Sequence, residues 1–449
     1  MTACWPRLLS TFLSPSFMPL HHIMPPISLY IHIPFCQRKC PYCDFNTYAG
    51  LNRLFEPFTA ALVKEIELAG EVNGHPPVRT IFLGGGTPTV LPADLLAQIM
   101  AACRRSFDVL PDAEITSEAN PGTVDVTRFA ALRALGVNRL SMGVQSFDEA
   151  ELHFLGRIHS ADDVEIAVAA ARQAGFANIN LDLIYGLPDQ PLATWQRTLQ
   201  RAVSLGPQHI SLYSLTIEEG TPFADWAATG RIGTPDPDLA ADMYEAADEI
   251  LEGAGYVQYE ISNWGKGKEG NKGKDRNESS QLPVFPSFPS FPSFVCRHNL
   301  TYWRNETYLG FGPGAHSSQD GRRWAGIKPV PAYIERVTSA VAGCSTVINH
   351  PAVAGLRPSQ LPSPWTDFVE EIDGRLAMGE TMMLGLRLVV EGVTFERFQR
   401  RHGQSMLEVF SDEIADLERL GLLERLPDRV RLTRRARLLG DQVFARFLP

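Results

Sequence analysis

Cys36, Cys40 and Cys43 fall within eight residues, in the stretch IHIPFCQRKCPYCDFNTY. Deprotonated thiolates hold zinc or iron–sulfur clusters, and spacing together with ligand count separates the two. Structural zinc takes four closed ligands, often from paired C-x2-4-C units. Here one unit, C-x3-C-x2-C, supplies three, and Asp44 and Phe45 follow where a further thiolate would be expected. A cubane cluster has four irons, so three thiolates leave one open to a ligand that is not protein. A ligand-binding [4Fe-4S] cluster is the leading expectation, and a zinc site completed by His32 or Asp44 is the alternative. The other cysteines, Cys4, Cys103, Cys296 and Cys344, are scattered through the chain, which is not a disulfide framework.

Further polar residues recur where short β-rich runs end. Gly84, Gly85 and Gly86 finish RTIFLG and follow it; Glu118 closes EITSEA; Gln145 follows NRLSMGV; Arg157 lies in the next loop; Asp182 sits in NINLDLIYG. A residue without a Cβ lets a ligand approach the backbone, whose carbonyls accept hydrogen bonds from an ammonium group, although a bare turn uses glycine too. In a barrel, polar groups at successive strand ends converge on one mouth.

The elements that must position these groups alternate regularly. Candidate strands at 28–33, 79–84, 114–119, 138–144, 178–186 and 209–215 are separated by amphipathic stretches, several ending at Gly as helix C-caps do. This repetition predicts an α/β fold with a parallel sheet and crossover helices, an open or partial (β/α)6 barrel over 27–264. A Gly/Lys/Asn/Glu tract and a Phe-Pro-Ser repeat at 265–295 have no helix or strand period and read as a low-complexity insertion. The core resumes over 296–344, and a Pro-rich linker is expected at 345–377. The final stretch, 378–449, reads as three helices, a strand and a last helix, a winged-helix-like α-helical C-terminal domain. Its twelve Arg against eleven Asp/Glu are too balanced for a strong nucleic-acid footprint.

With 449 residues, 44% hydrophobic and 20% charged, the chain has ordinary globular composition, and its formal charge of -10 argues against non-specific nucleic-acid binding. Residues 1–26 carry a short, proline-broken apolar run and read as a loose extension, with Met18 or Met24 as alternative starts. No run is long enough for a spanning helix, and peripheral contact with a membrane surface stays compatible with the sequence.

YIHIPFCQRKCPYCDF, FLGGGTPT, SEANPG, SMGVQSF, LGRIHS, NLDLIYGLP, YEISNW, CRHNLTYW and YLGFGPGAHS occur in that order. This set resembles the radical SAM superfamily, and within it the oxygen-independent coproporphyrinogen III oxidases and, more closely, their HemW-type haem-chaperone relatives. The resemblance implies a radical-SAM barrel and S-adenosylmethionine on the open iron, where cluster reduction would split the sulfonium bond to give a 5′-deoxyadenosyl radical. It implies that Tyr30, Gly85 and Glu118 contact that ligand. Tyr42, Gly86, Thr87, Gln145, Arg157 and Asp182 match positions that hold a second S-adenosylmethionine in the oxidases.

The oxidases usually carry a fourth Cys where this chain has Phe45, and the C-D-F form points to the chaperones. CRHNLTYW matches their H-N-x-x-Y-W element, implying haem at His298, Tyr302 and Trp303; a buried strand-and-turn role is the alternative for these residues, and Cys296 is an alternative iron ligand. Haem-accepting proteins and an electron donor for the cluster are the implied partners, with self-association and a cytoplasmic location as further expectations. The competing function is oxidative decarboxylation of coproporphyrinogen III.

Overall fold

Side-chain alternation along the strands decides the architecture. The structure, a computed structural model, describes residues 24–267, 291–344 and 365–449. The six expected strands are β1 (Ile27–Ile33), β2 (Pro77–Gly85), β3 (Asp108–Ala119), β4 (Arg139–Gln145), β5 (Ile179–Tyr185) and β6 (His209–Ser214). Each pairs in parallel with the next. Helices α1 (Phe55–Asn73), α2 (Ala93–Ser106), α3 (Val126–Ala134), α4 (Ala161–Gln173) and α5 (Leu192–Ser204) connect them.

One face of every strand is apolar. Leu29, Ile31 and Ile33, then Ile81 and Leu83, Leu140 and Met142, Leu181 and Leu183, and Ile210 and Leu212 are buried in a single core shared with helix side chains such as Ile66, Ile99, Val164 and Trp195. Removing each such side chain from water contributes about 1.5–3 kcal/mol. Because the helix side alone supplies so much, the intervening residues are free to be polar, and they point into the lumen: Glu118 on β3, Arg139 and Ser141 on β4, Asn180 and Asp182 on β5, Ser211 on β6.

The helix ends follow local rules. α1 stops at Gly74, whose φ of 68° suits a residue without a Cβ. α4 starts with a capping box in which Ser160 and Asp163 satisfy each other's amides.

The sheet is larger than the expected barrel. Strands β7 (Tyr256–Glu260), β8 (Asn263–Lys266), β9 (Tyr308–Phe311), β10 (His316–Gln319), β11 (Arg322–Gly326) and β12 (Thr366–Glu371) extend it to twelve, in the order β12-β11-β10-β9-β1-β2-β3-β4-β5-β6-β8-β7. Among the described residues its two edges, β12 and β7, do not pair, so the barrel is open. β9 runs parallel to β1 and is a seventh parallel strand; its register with β1 comes from a distant part of the chain. Two boundaries shift. Thr366–Glu371, expected in the linker, is β12 of the main sheet, and β8 runs to Lys266 inside the expected insertion. Most of that insertion, most of the N-terminal extension and 345–364 lie outside the described residues.

The C-terminal region has its own core around Met382, Phe398, Phe410 and Phe447. Gly374–Leu386, Phe395–His402 and Ser411–Arg419 are helical, and Leu423–Arg425 with Arg429–Leu432 and Val393–Thr394 form a three-stranded wing. The last expected helix is instead a 3-10 turn, Arg434–Leu439, followed by a short helix, Gly440–Phe444. This region is tied to the barrel by Arg387, which meets the buried Glu260 of β7 at 2.7 Å.

Candidate active site: a thiol-rimmed cavity at the strand ends

The cysteine loop leaves β1 and is pinned at both ends. Phe35–Cys36 pairs in parallel with Tyr48–Ala49, closing the loop on itself. Asn46 donates to the carbonyls of Pro313 and Lys328, each at 2.9 Å, and its own carbonyl meets His32 Nε2 at 3.0 Å. His32 Nδ1 in turn meets the Tyr30 hydroxyl at 3.0 Å. With both nitrogens engaged, His32 holds the loop rather than completing a metal set.

Cys36, Cys40 and Cys43 line the rim of a cavity of about 510 Å³ that runs down into the lumen. Thr87 Oγ1 lies 3.7 Å from Cys36 Sγ, and Arg157 Nη1 donates toward Cys40 Sγ at 3.4 Å. Arg157 also donates to the Gly143 carbonyl at 2.7 Å and to Asn120 Oδ1, while Asn120 donates to Thr87 Oγ1 at 2.8 Å. One hydrogen-bonded chain thus links two of the thiols to the ends of β2, β3 and β4. Burial raises the Cys36 and Cys43 thiols above their usual range, opposed by the Thr87 hydroxyl at Cys36 and by the Phe45 amide at Cys43. Charge-assisted donors of this kind suit thiolates that bind metal. Among the described residues no three His, Cys, Asp or Glu side chains converge where one ion could bind them. A cubane's three thiolates bind three different irons and need no such point.

The glycines after β2 serve packing first. Gly85 has φ of 106°, and a Cβ there would meet the His32 ring at 2.4 Å. At Gly86 a Cβ would meet the Phe35 carbonyl at 2.6 Å, while the Gly86 amide donates to Ile33 O and that of Thr87 to Phe35 O, both at 2.8 Å. The absent side chains let the end of β2 lie against the base of the cysteine loop, and Gly85 and Gly86 still line the cavity.

Lower in the wall stand two carboxyl groups without an ion-pair partner among the described residues. Glu118 accepts from the Gly85 amide at 3.0 Å, and burial, with Asp182 nearby, pushes it up to about 8. Asp182 accepts from Ser141 at 2.9 Å and from Asn180 at 2.7 Å, and burial raises it as well. Gln145 reaches the same cavity from a left-handed backbone, φ 69°, at a β-bulge where β4 ends. Tyr42 lies beside them, packed on Phe223. Tyr30 does not line the cavity; its hydroxyl is spent on His32.

His298, Tyr302 and Trp303 of the H-N-x-x-Y-W element do not line this cavity. Arg297–Trp303 is a short helix, α6, beneath the sheet. His298 is buried, with Nδ1 2.8 Å from Thr80 Oγ1 and Nε2 2.9 Å from the Tyr302 hydroxyl, so no ring nitrogen is free in this conformation. Burial, then Arg139, lowers its pKa to about 3, which keeps the imidazole neutral. Trp303 carries the Arg387 guanidinium 4.3 Å over its ring, with its indole N–H unpartnered among the described residues. Arg304 clasps Glu391 at 2.6 Å. The element is therefore a joint between barrel and C-terminal region. Cys296 and Asn299 of the same segment do reach the cavity floor.

The lumen polar set was missing from the sequence expectations: Arg139, Ser141, Asn180, Ser211 and Tyr213 all line the cavity. The signal existed in RLSMGVQ, INLDLIY and HISLYS, where polar residues occupy alternate positions of apolar strands.

Comparison with known proteins agrees with this geometry. Residues 30–202 match the radical SAM superfamily model, and 372–439 match the HemN C-terminal domain. A Bacillus subtilis protein named heme chaperone HemW is 35% identical over 422 residues, 94% of this chain and 99% of that one. Its Escherichia coli namesake is 39% identical over 303 residues, 67% and 72% of the two chains. Among solved structures, E. coli coproporphyrinogen III oxidase HemN superposes with a TM-score of 0.71 at 22% identity, over 95% of this chain and 91% of that one, a likeness of fold.

Proposed function

Since the chain belongs to the heme chaperone HemW family of the radical SAM superfamily, we infer that it binds a [4Fe-4S] cluster, S-adenosylmethionine and haem, and passes haem to acceptor haemoproteins. The observation that carries this reading is the end-to-end likeness to the Bacillus subtilis haem chaperone. The cavity fits the cofactors: three thiols at its rim, two of them facing donors from Thr87 and Arg157, and two carboxyls below without an ion pair among the described residues.

In this reading Cys36, Cys40 and Cys43 hold the cluster. When bound, the cluster supplies an electron and an open iron for S-adenosylmethionine. Glu118 and Asp182 would face the cationic part of that ligand, while Gly85, Gly86 and Thr87 border it. Gln145, Arg157 and Tyr42 complete the rim, and Tyr30 acts through His32 on the loop's position. Excluding water from this partly enclosed space strengthens each of these contacts.

For haem, His298, Tyr302 and Trp303 are the proposed element. In the Nδ1–H tautomer, the lone pair that would ligate iron is the one accepting the Tyr302 hydroxyl. Tyr302 would have to give way to the metal, while Thr80 keeps the imidazole oriented. Self-association, an electron donor for the cluster and a cytoplasmic setting belong to the same reading; among the described residues no helix is long and apolar enough to cross a membrane.

The test is anaerobic purification and cluster reconstitution, followed by haem titration and a coproporphyrinogen assay side by side. Stoichiometric haem uptake with transfer to an apo-haemoprotein is expected. Formation of protoporphyrinogen would overturn the assignment in favour of the oxidase, whose fold this chain shares.

A further inference from the structure

Arg139 opens β4 at the closed end of the lumen. Only 2% of it is exposed, yet it lines the cavity, and it makes no hydrogen bond or ion pair with any described residue. Its Nε is without a partner, as is Oγ1 of Thr116, the residue opposite it in register on β3 and fully buried. A guanidinium is never deprotonated in a protein, and a buried one is costly unless its fork of donors is filled.

The neighbouring wall does not fill it. Asn180 is saturated by Ser141, Asp182, His209 and Ser211. Cys296, Glu114, Tyr259 and Asp182 act on Arg139 through space, but Glu114 Oε1 accepts the His298 amide at 3.1 Å and neither carboxyl forms an ion pair with Arg139. Among the described residues no side chain of the wall supplies the guanidinium with an acceptor, and Arg139 borders the open space.

We propose that Arg139 is the anchor of a carboxylate-binding subsite at the floor of the lumen, opposite the thiol rim, taking a carboxylate carried on a ligand that enters from the rim. Planar, bidentate pairing with a carboxylate is what the guanidinium fork is shaped for. Glu118 and Asp182, both held toward their neutral forms by burial, oppose an entering carboxylate less than ionised groups would. The proposal rests on the ligand set of the proposed function, which offers two carboxylate sources: a second S-adenosylmethionine, whose amino-acid end is not held by the open iron, and the propionates of haem.

The experiment separates them on cluster-reconstituted protein by equilibrium titration. Wild type, Arg139→Gln and Arg139→Lys are titrated with S-adenosylmethionine against its decarboxylated analogue, and with haem against haem dimethyl ester. The Gln variant should weaken binding of one acid by roughly 10- to 100-fold and leave the matching carboxylate-free ligand unchanged, with the Lys variant in between. The acid that shows this coupling names the source. Thermal midpoints of the ligand-free variants should equal or exceed wild type, because an unpaired buried charge has been removed.

Equal weakening of acid and carboxylate-free ligand, with a lowered midpoint, would show a structural arginine and overturn the proposal. So would unchanged affinity for both acids. Should the Gln variant not fold, the Lys variant decides by the same coupling. Absence of haem binding in wild type would sink the chaperone reading while leaving the S-adenosylmethionine comparison to judge the subsite.

Discussion

The Nε2 of His298 lies 2.9 Å from the hydroxyl of Tyr302, one turn along the same short helix. With Thr80 on the other nitrogen, this makes the imidazole of the H-N-x-x-Y-W element a buried, neutral, fully hydrogen-bonded group. Haem ligation by His298 therefore competes with Tyr302. Replacing Tyr302 by Phe should tighten haem binding by about 2- to 10-fold, the worth of one ordinary hydrogen bond. His298→Ala should remove the imidazole signature from the haem spectrum. A spectrum unaltered in His298→Ala would move the iron ligand elsewhere.

Cys36, Cys40 and Cys43 should each be indispensable to the cluster. Cys40→Ala, reconstituted anaerobically, should lose the visible iron–sulfur absorption and most of its bound iron. Thr87→Val should keep the iron but shift the cluster's reduction potential to more negative values, since a hydrogen bond toward the Cys36 sulfur has gone. Zinc in the intact protein in place of iron would end the cluster reading.

Glu118 should make ligand binding depend on pH. Its pKa of about 8 lies above the ordinary carboxyl value, so the folded protein binds a proton there that the unfolded chain releases. Its contribution to stability is thus complete in acid and is lost as pH rises from the usual carboxyl range through about 8. A cationic ligand favours the ionised form. S-adenosylmethionine should therefore bind more tightly as pH rises toward 8, by up to about tenfold per pH unit, with a proton released on binding. Calorimetry in buffers of different ionisation enthalpy reads that proton, and Glu118→Gln should abolish both effects.

Gly85→Ala tests the packing role of the glycine run. The backbone is left-handed and the new methyl would press on the His32 ring. A loss of roughly 1–3 kcal/mol is expected in chemical denaturation. Cluster retention should fall with it, since His32 braces the cysteine loop through Asn46. Gly50 has a φ of 76° but open space around it. The Gly50→Ala control should carry only the smaller backbone cost and keep its cluster.

Much of this was legible in the residues. The cysteine spacing gives ligand number, because the thiolates come from one short loop. The parallel strands were readable because β-rich runs alternate with amphipathic helices, a local pattern. β9 and β12 were not: YLGF is short and glycine-bearing, and its place beside β1 depends on a partner some 280 residues away in sequence. The polar half of each strand was visible as alternation in RLSMGVQ and INLDLIY, yet read one strand at a time it did not announce a lumen.

By itself, then, the sequence determined which groups this protein owns: three thiols without a fourth, carboxyls and an arginine at strand ends, and the H-N-x-x-Y-W element. Tertiary structure alone decided which of them are free. His298 and His32 have both ring nitrogens occupied, by Thr80 and Tyr302 and by Tyr30 and Asn46, whereas Arg139 meets no acceptor among the described residues. The reason is physical. Hydrogen bonds and charge compensation are settled between neighbours in space, and the folded chain brings Arg157, in one loop, to Cys40, in another, across 117 positions of sequence.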